Sequence, residues 1–220
     1  MNGKLIVIEG LDGAGKTTQL GLLAEKMGEG IRFITFPDYQ SLSGKIIGEY
    51  LKGVYSGLDE LDGAYSASCF YAVDRYISYK TDWHNDYKGG TNIISARYSS
   101  SNLIYQMAKL EREKWDAYYK WLNDLEHRKL FLPRADAVIF LDMPLEVSRE
   151  FLNKRYENEK GSLDLHESSL DYLERCKEAA DYAAAKENWI KIKCTRRKKP
   201  RSINDIHTEL HKKIEDIING

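Results

Sequence analysis

Apolar positions along the chain fall into short continuous runs separated by longer segments in which they recur every three or four residues. The runs predict strands and the spaced segments predict helices. Lys4–Glu9 is a strand whose near-continuous apolar character suits burial on both faces. Arg32–Phe36 is a second, stopped by Pro37, and Asn92–Ser95 a third, introduced by Gly89-Gly90. Ala137–Leu141 and Trp189–Cys194 are the fourth and fifth. Leu20, Leu23, Ala24 and Met27 mark a helix after the first strand. Leu103, Met107, Leu110, Tyr118, Leu122 and Leu125 mark one long helix, Leu170, Leu173 and Ala180 another, and Ile203, Ile206, Leu210 and Ile214 a C-terminal one. Strands alternating with helices imply an α/β fold with a parallel sheet. No repeat or linker interrupts it, so residues 1–220 read as a single domain.

Two segments resist regular assignment. Asn153–His166 is charged and contains Gly161-Ser162, and reads as a mobile loop. Arg196-Arg197-Lys198-Lys199-Pro200-Arg201 is a basic run that reads as a solvated loop or an anion contact.

Composition narrows the function classes. With 33 Lys+Arg against 34 Asp+Glu the formal charge is −1, which gives no overall pull toward nucleic acid or a membrane surface. No apolar run approaches the roughly 18 residues of a membrane span. Cys69, Cys176 and Cys194 are far apart and lack metal-ligand spacing, as in a reducing, cytoplasmic setting.

The strongest chemical signal joins the first strand to the first helix. Gly10-Leu11-Asp12-Gly13-Ala14-Gly15-Lys16-Thr17 fits the phosphate-binding loop G-x-x-x-x-G-K-[ST], and Thr18 continues it into the helix. The glycines let several backbone N–H groups face one point, and the helix start adds its positive dipole end there. Lys16 supplies a mobile charge for the β- and γ-phosphates of a bound nucleotide, and the Thr17 hydroxyl can ligate Mg²⁺. Such a loop alone does not separate a motor from a switch or a kinase.

Other candidates are open to two readings from residue type alone. Tyr71 and Arg75 lie four apart, so they share a helix face, either as a core tyrosine with a surface charge or as a ligand-facing pair. Arg97 follows the third strand at the edge where α/β sheets present ligand sites, or is a salt-bridge arginine. Ser101 and Asn102 fit either helix capping or ligand contact. Lys154 and Arg155 head the charged loop, as solvated groups or as part of a lid.

Together these residues carry a resemblance. Leu5 through Gln19, with Phe36-Pro37, Tyr71-Ala72-Val73-Asp74-Arg75, Arg97-Tyr98, Tyr105-Gln106 and Leu141-Asp142-Met143-Pro144, resemble in order the thymidylate kinases. The resemblance implies a P-loop NTPase-type five-stranded parallel sheet flanked by helices, with a mobile lid near Asn153–His166. It implies transfer of the ATP γ-phosphoryl to thymidine monophosphate (dTMP) with Mg²⁺, and a homodimer packed through helices beside the acceptor site. By position, Lys16, Arg97 and Arg155 look like the catalytic cations. Asp12, Phe36, Tyr71, Arg75, Arg97, Ser101, Asn102, Tyr105 and Gln106 look like the acceptor contacts. Among these, Tyr71 would stack on thymine, Arg75 would meet a base carbonyl and Tyr105 would crowd the sugar 2′ position.

Three positions depart from the pattern. Ala96 stands where the family has an acid before the arginine, Tyr39 replaces an arginine after Phe36-Pro37, and Leu165 replaces a lid arginine. Asp38 is a candidate for the vacated carboxylate, and Ala96→Asp is expected to raise turnover.

Overall fold

A computed structural model describes residues 2–55, 63–159, 170–197 and 199–220, with side chains from 154 to 159 outside the description. Its centre is a five-stranded sheet of β1 (Leu5–Glu9), β2 (Ile31–Thr35), β3 (Asn92–Ala96), β4 (Ala137–Asp142) and β5 (Ile190–Lys193). The strand order is β2-β3-β1-β4-β5 and every pairing is parallel. All five residues of β1 are buried because strands flank it on both sides and helices cover both faces. All five strands lie within a residue or two of the sequence expectation.

Alternation along the strands divides the core in two. Leu5, Val7, Ile93 and Phe140 point to one face, beneath α3 (Gly63–Ser78), α5 (Ser99–Tyr105), α6 (Trp115–Asn123) and α8 (Leu170–Glu187). Ile6, Ile8, Ile94, Ile139 and Ile192 point to the other, where α1 (Lys16–Lys26) contributes Leu23 and α9 (Ile203–Asn219) contributes Ile206, Leu210 and Ile214. The remaining helices are α2 (Leu42–Leu51), α4 (His84–Lys88) and α7 (Leu145–Glu159). Among the described residues, no helix is long and apolar enough to cross a membrane.

Three expectations need correction. The long helix marked by Leu103 to Leu125 is two helices, α5 and α6, separated by short 3₁₀ turns at Met107–Lys109 and Arg112–Lys114. The Leu110 carbonyl there accepts the Trp115 indole N–H at 3.0 Å and the Arg175 guanidinium at 2.5 Å, and Leu110 itself is extended. Side chains thus take the carbonyl that a continuous helix would use. The segment Asn153–His166 begins as helix, since α7 runs to Glu159, and its remainder lies outside the described residues. In the basic run, Arg196 and Lys199-Pro200 belong to a small antiparallel pair, β6 (Thr195–Arg196) against β7 (Lys199–Pro200), Arg201 donates to Glu209 at 2.6 Å, and Lys198 lies outside the described residues.

Candidate active site

The turn from β1 to α1 forms a cup. Gly13 sits at φ 80°, and a Cβ there would lie 2.3 Å from the Ser148 carbonyl oxygen, so α7 approaches too closely for a side chain. Gly15 at φ 92° precedes α1 and supplies no capping side chain, which leaves first-turn N–H groups facing the cup. A space of about 160 Å³ follows, lined by Asp12, Gly13, Gly15, Lys16, Thr17, Thr35, Ala96 and Arg97. Leu11 and Ala14 turn their side chains into the protein, so they can meet a nucleotide only through backbone. Thr17 and Thr18 are exposed.

Charges inside the cup are held by one another. Lys16 Nζ donates to the Gly10 carbonyl at 2.7 Å and the Leu11 carbonyl at 3.0 Å, and lies 3.6 Å from Asp12. Burial, reinforced by the nearby Arg97, lowers the Lys16 pKa to about 8 against the pull of Asp12 and Glu9. Asp12 is ion-paired with Arg97. Burial works against the Asp12 carboxylate, yet Arg97, Lys16 and a Tyr105 hydrogen bond outweigh it and hold its pKa at about 2. Arg97 also lies over the Tyr105 ring, 5.0 Å from the centroid.

A second cavity of about 210 Å³ opens on the far side of Asp12 and Arg97. Every residue expected at the acceptor side lines it: Asp12, Phe36, Tyr71, Arg75, Arg97, Ser101, Asn102, Tyr105 and Gln106, joined by Pro37, Tyr39, Leu51 and Tyr98. The turns after β1, β2 and β3, the end of α2, the middle of α3 and the turns of α5 converge here. Asn102 and Gln106 are 2% and 1% exposed, and among the described residues Asn102 Nδ2 and Gln106 Oε1 have no hydrogen-bond partner. Buried polar atoms are almost always paired, so two orphans lining one cavity point to a ligand that pairs them.

Arg75 is held from behind by a residue the sequence reading missed. Its Nε donates to Glu126 Oε2 at 3.1 Å, its Nη2 to Glu126 Oε1, and its Nη1 faces the Tyr98 carbonyl at 3.4 Å. These use three of the five guanidinium N–H groups, leaving two for the cavity it lines. Glu126 is fully buried, and its only sequence signal is an acid inside an otherwise helical stretch.

Some expected residues stand elsewhere. Asp38 does not line the cup; it is exposed, and its Oδ1 accepts the Gln40 N–H at 3.1 Å. Thr35 and Ala96 occupy the cup wall instead. The Lys154 and Arg155 side chains and residue Leu165 lie outside the described residues. Among the described residues no group of three or more His, Cys, Asp or Glu converges as a metal site. The lone Thr17 hydroxyl nevertheless fits Mg²⁺ arriving with a triphosphate, since that ion commonly takes one or two protein ligands beside phosphate and water.

A phosphate cup sharing a wall with a polar cavity is the layout of a phosphotransferase, and comparison with known proteins decides which. The thymidylate kinase family model matches residues 8–209. The chain belongs to the thymidylate kinase family. Among other thymidylate kinases, the probable enzyme of Methanococcus maripaludis is 30% identical over 223 residues, covering 98% of this chain and 98% of the relative. The probable thymidylate kinase of Thermococcus onnurineus is 37% identical over 159 residues, covering 68% of this chain and 71% of the relative. A solved thymidylate kinase from Candida albicans superimposes with a TM-score of 0.73 at 24% identity, covering 98% of this chain and 92% of that one, which supports the P-loop fold.

Proposed function

We propose that this member of the thymidylate kinase family transfers the γ-phosphoryl group of ATP to dTMP, giving ADP and dTDP. The carrying observation is that Asp12 and Arg97 line both spaces, so a triphosphate in the cup and a monophosphate in the cavity meet at one wall.

The base is read by orphaned groups. Thymine offers one donor, N3–H, flanked by two carbonyl acceptors. Gln106 Oε1 lacks a donor, and Asn102 Nδ2 and the outer edge of Arg75 lack acceptors, so the two sets complement each other. Tyr71 supplies a stacking surface beside them. At the phosphate end Arg97 exchanges Asp12 for the acceptor phosphate and holds it in line, freeing Asp12 for the sugar hydroxyl.

At the donor end Lys16 leaves the Gly10 and Leu11 carbonyls and follows the β- and γ-phosphates, which the α1 N–H groups also hold. An acceptor phosphate oxygen then bonds to the γ-phosphorus as the bond to the β–γ bridging oxygen breaks, and ADP leaves with that oxygen. No proton need be removed from the nucleophile, so positioning and charge do the catalysis. Thr17 would hold Mg²⁺ through its hydroxyl, and the ion, when bound, would supply charge neutralisation to the phosphates. Arg155, whose side chain lies outside the described residues, is the candidate for a further positive charge on the phosphates during transfer.

The exposed stripe of Cys69, Val73, Tyr76 and Ile77 on α3 supports pairing of two copies through that helix. The unbridged cysteines fit a cytoplasmic setting.

The test is ADP release measured against a panel of nucleoside monophosphates and thymidine, with and without Mg²⁺. Mg²⁺-dependent turnover that is fastest with dTMP is expected. Release that is indifferent to the acceptor, or fastest with another guest, overturns the proposal.

A further inference from the structure

Arg97 sits at φ 63°, a left-handed conformation that non-glycine residues keep only where their surroundings over-determine it. Its backbone is gripped on both sides. The Arg97 N–H donates to the Ile8 carbonyl at 3.2 Å, and its own carbonyl accepts the Ser95 hydroxyl at 2.6 Å. The next N–H, of Tyr98, faces Glu9 Oε1 at 3.4 Å. That same oxygen accepts the Ser100 hydroxyl at 2.8 Å and the Ser101 hydroxyl at 2.7 Å. Glu9 is fully buried, and among the described residues its Oε2 has no hydrogen-bond partner.

Register explains why this acid reaches the turn. Ile8 pairs with Ala96 across β1 and β3, so Glu9 leaves its strand alongside Arg97. Its negative charge also acts on both Arg97 and Lys16.

We infer that Glu9, seconded by Ser95, is the positioning residue for Arg97. From β1 it fixes the Arg97–Ser101 turn and balances the charge of the arginine. A plain structural reading, in which Glu9 only secures the start of α5, makes a different forecast. It lowers stability without altering how strongly a guest's phosphate is felt.

The inference rests on the proposed reading of Arg97 as the acceptor-phosphate grip, and one titration separates the two. Calorimetric dissociation constants for dTMP and for thymidine, measured on the full chain without ATP, give a ratio that isolates the phosphate contribution. A wild-type ratio near one contradicts the phosphate-grip reading itself.

With a wild-type preference for dTMP in hand, Glu9→Gln is expected to reduce the ratio about tenfold while thymidine affinity stays put. Ser95→Ala removes only the hydroxyl on the Arg97 carbonyl, and is expected to reduce the ratio about threefold; it serves as the test should Glu9→Gln fold poorly. An unchanged ratio in a folded variant, or equal loss of dTMP and thymidine binding, overturns the inference.

Discussion

Lys16 rests on two carbonyls of its own loop and Arg97 rests on Asp12, whereas Asn102 Nδ2 and Gln106 Oε1, on residues that line the neighbouring cavity, have no partner among the described residues. The cup and the cavity share a wall yet hold their polar groups in opposite ways. Charge explains the difference. An unpaired buried ion costs several kcal/mol even after relaxation, so the cup closes on itself and a phosphate must displace existing partners. An unpaired buried amide atom costs about 1–3 kcal/mol, a strain a folded domain can carry. The base site is therefore built in advance and the phosphate site is assembled by exchange.

The largest effect expected from breaking this contrast is at the cup. Lys16→Met should lower kcat/KM for ATP by roughly 10³-fold, while dTMP still raises the melting temperature, because the base cavity does not depend on Lys16. Loss of the dTMP shift as well would join the two regions more tightly than the geometry does. Gln106→Leu should weaken dTMP by about 10- to 100-fold and, by removing an orphaned polar atom, leave the ligand-free melting temperature unchanged or higher. A drop in ligand-free stability would mean the amide is satisfied in the free protein.

The pH dependence sharpens the same comparison. Burial lowers the free-enzyme pKa of Lys16 to about 8, so the ammonium is present below that pH and lost above it. Since kcat/KM reports the free enzyme, its value for ATP should fall about tenfold per pH unit above pH 8, while dTMP affinity shows no break there. A profile flat to pH 10 would remove Lys16 from donor capture. The smallest effect is at the cup wall: Ala96→Asp should raise turnover modestly, and an unchanged or lower rate would show that the site is built without that acid.

What could be read from the sequence is what local chemistry determines. The loop from Gly10 to Thr17 is legible because its backbone needs glycine at fixed steps and its charge needs Lys16, all within one turn. The strands are legible because burial on two faces leaves few polar positions in β1, β3 and β4. Helix continuity from Leu103 to Leu125 was misleading, since the apolar spacing runs on through a break set by Trp115 and Arg175 at the Leu110 carbonyl. Glu126 was invisible for a related reason: its meaning lies in Arg75, 51 residues away, and nothing in its own segment shows that it is buried. Asp38 was placed by topology alone, and its local bond to Gln40 overrides that placement.

The central claim, that Gln106 Oε1 waits for the N3–H of a thymine, is tested most directly with dTMP methylated at N3. Titrated into the wild-type protein, the methylated nucleotide should bind at least about tenfold more weakly than dTMP, and Gln106→Leu should narrow that gap. Equal affinity of the wild type for both nucleotides would contradict it.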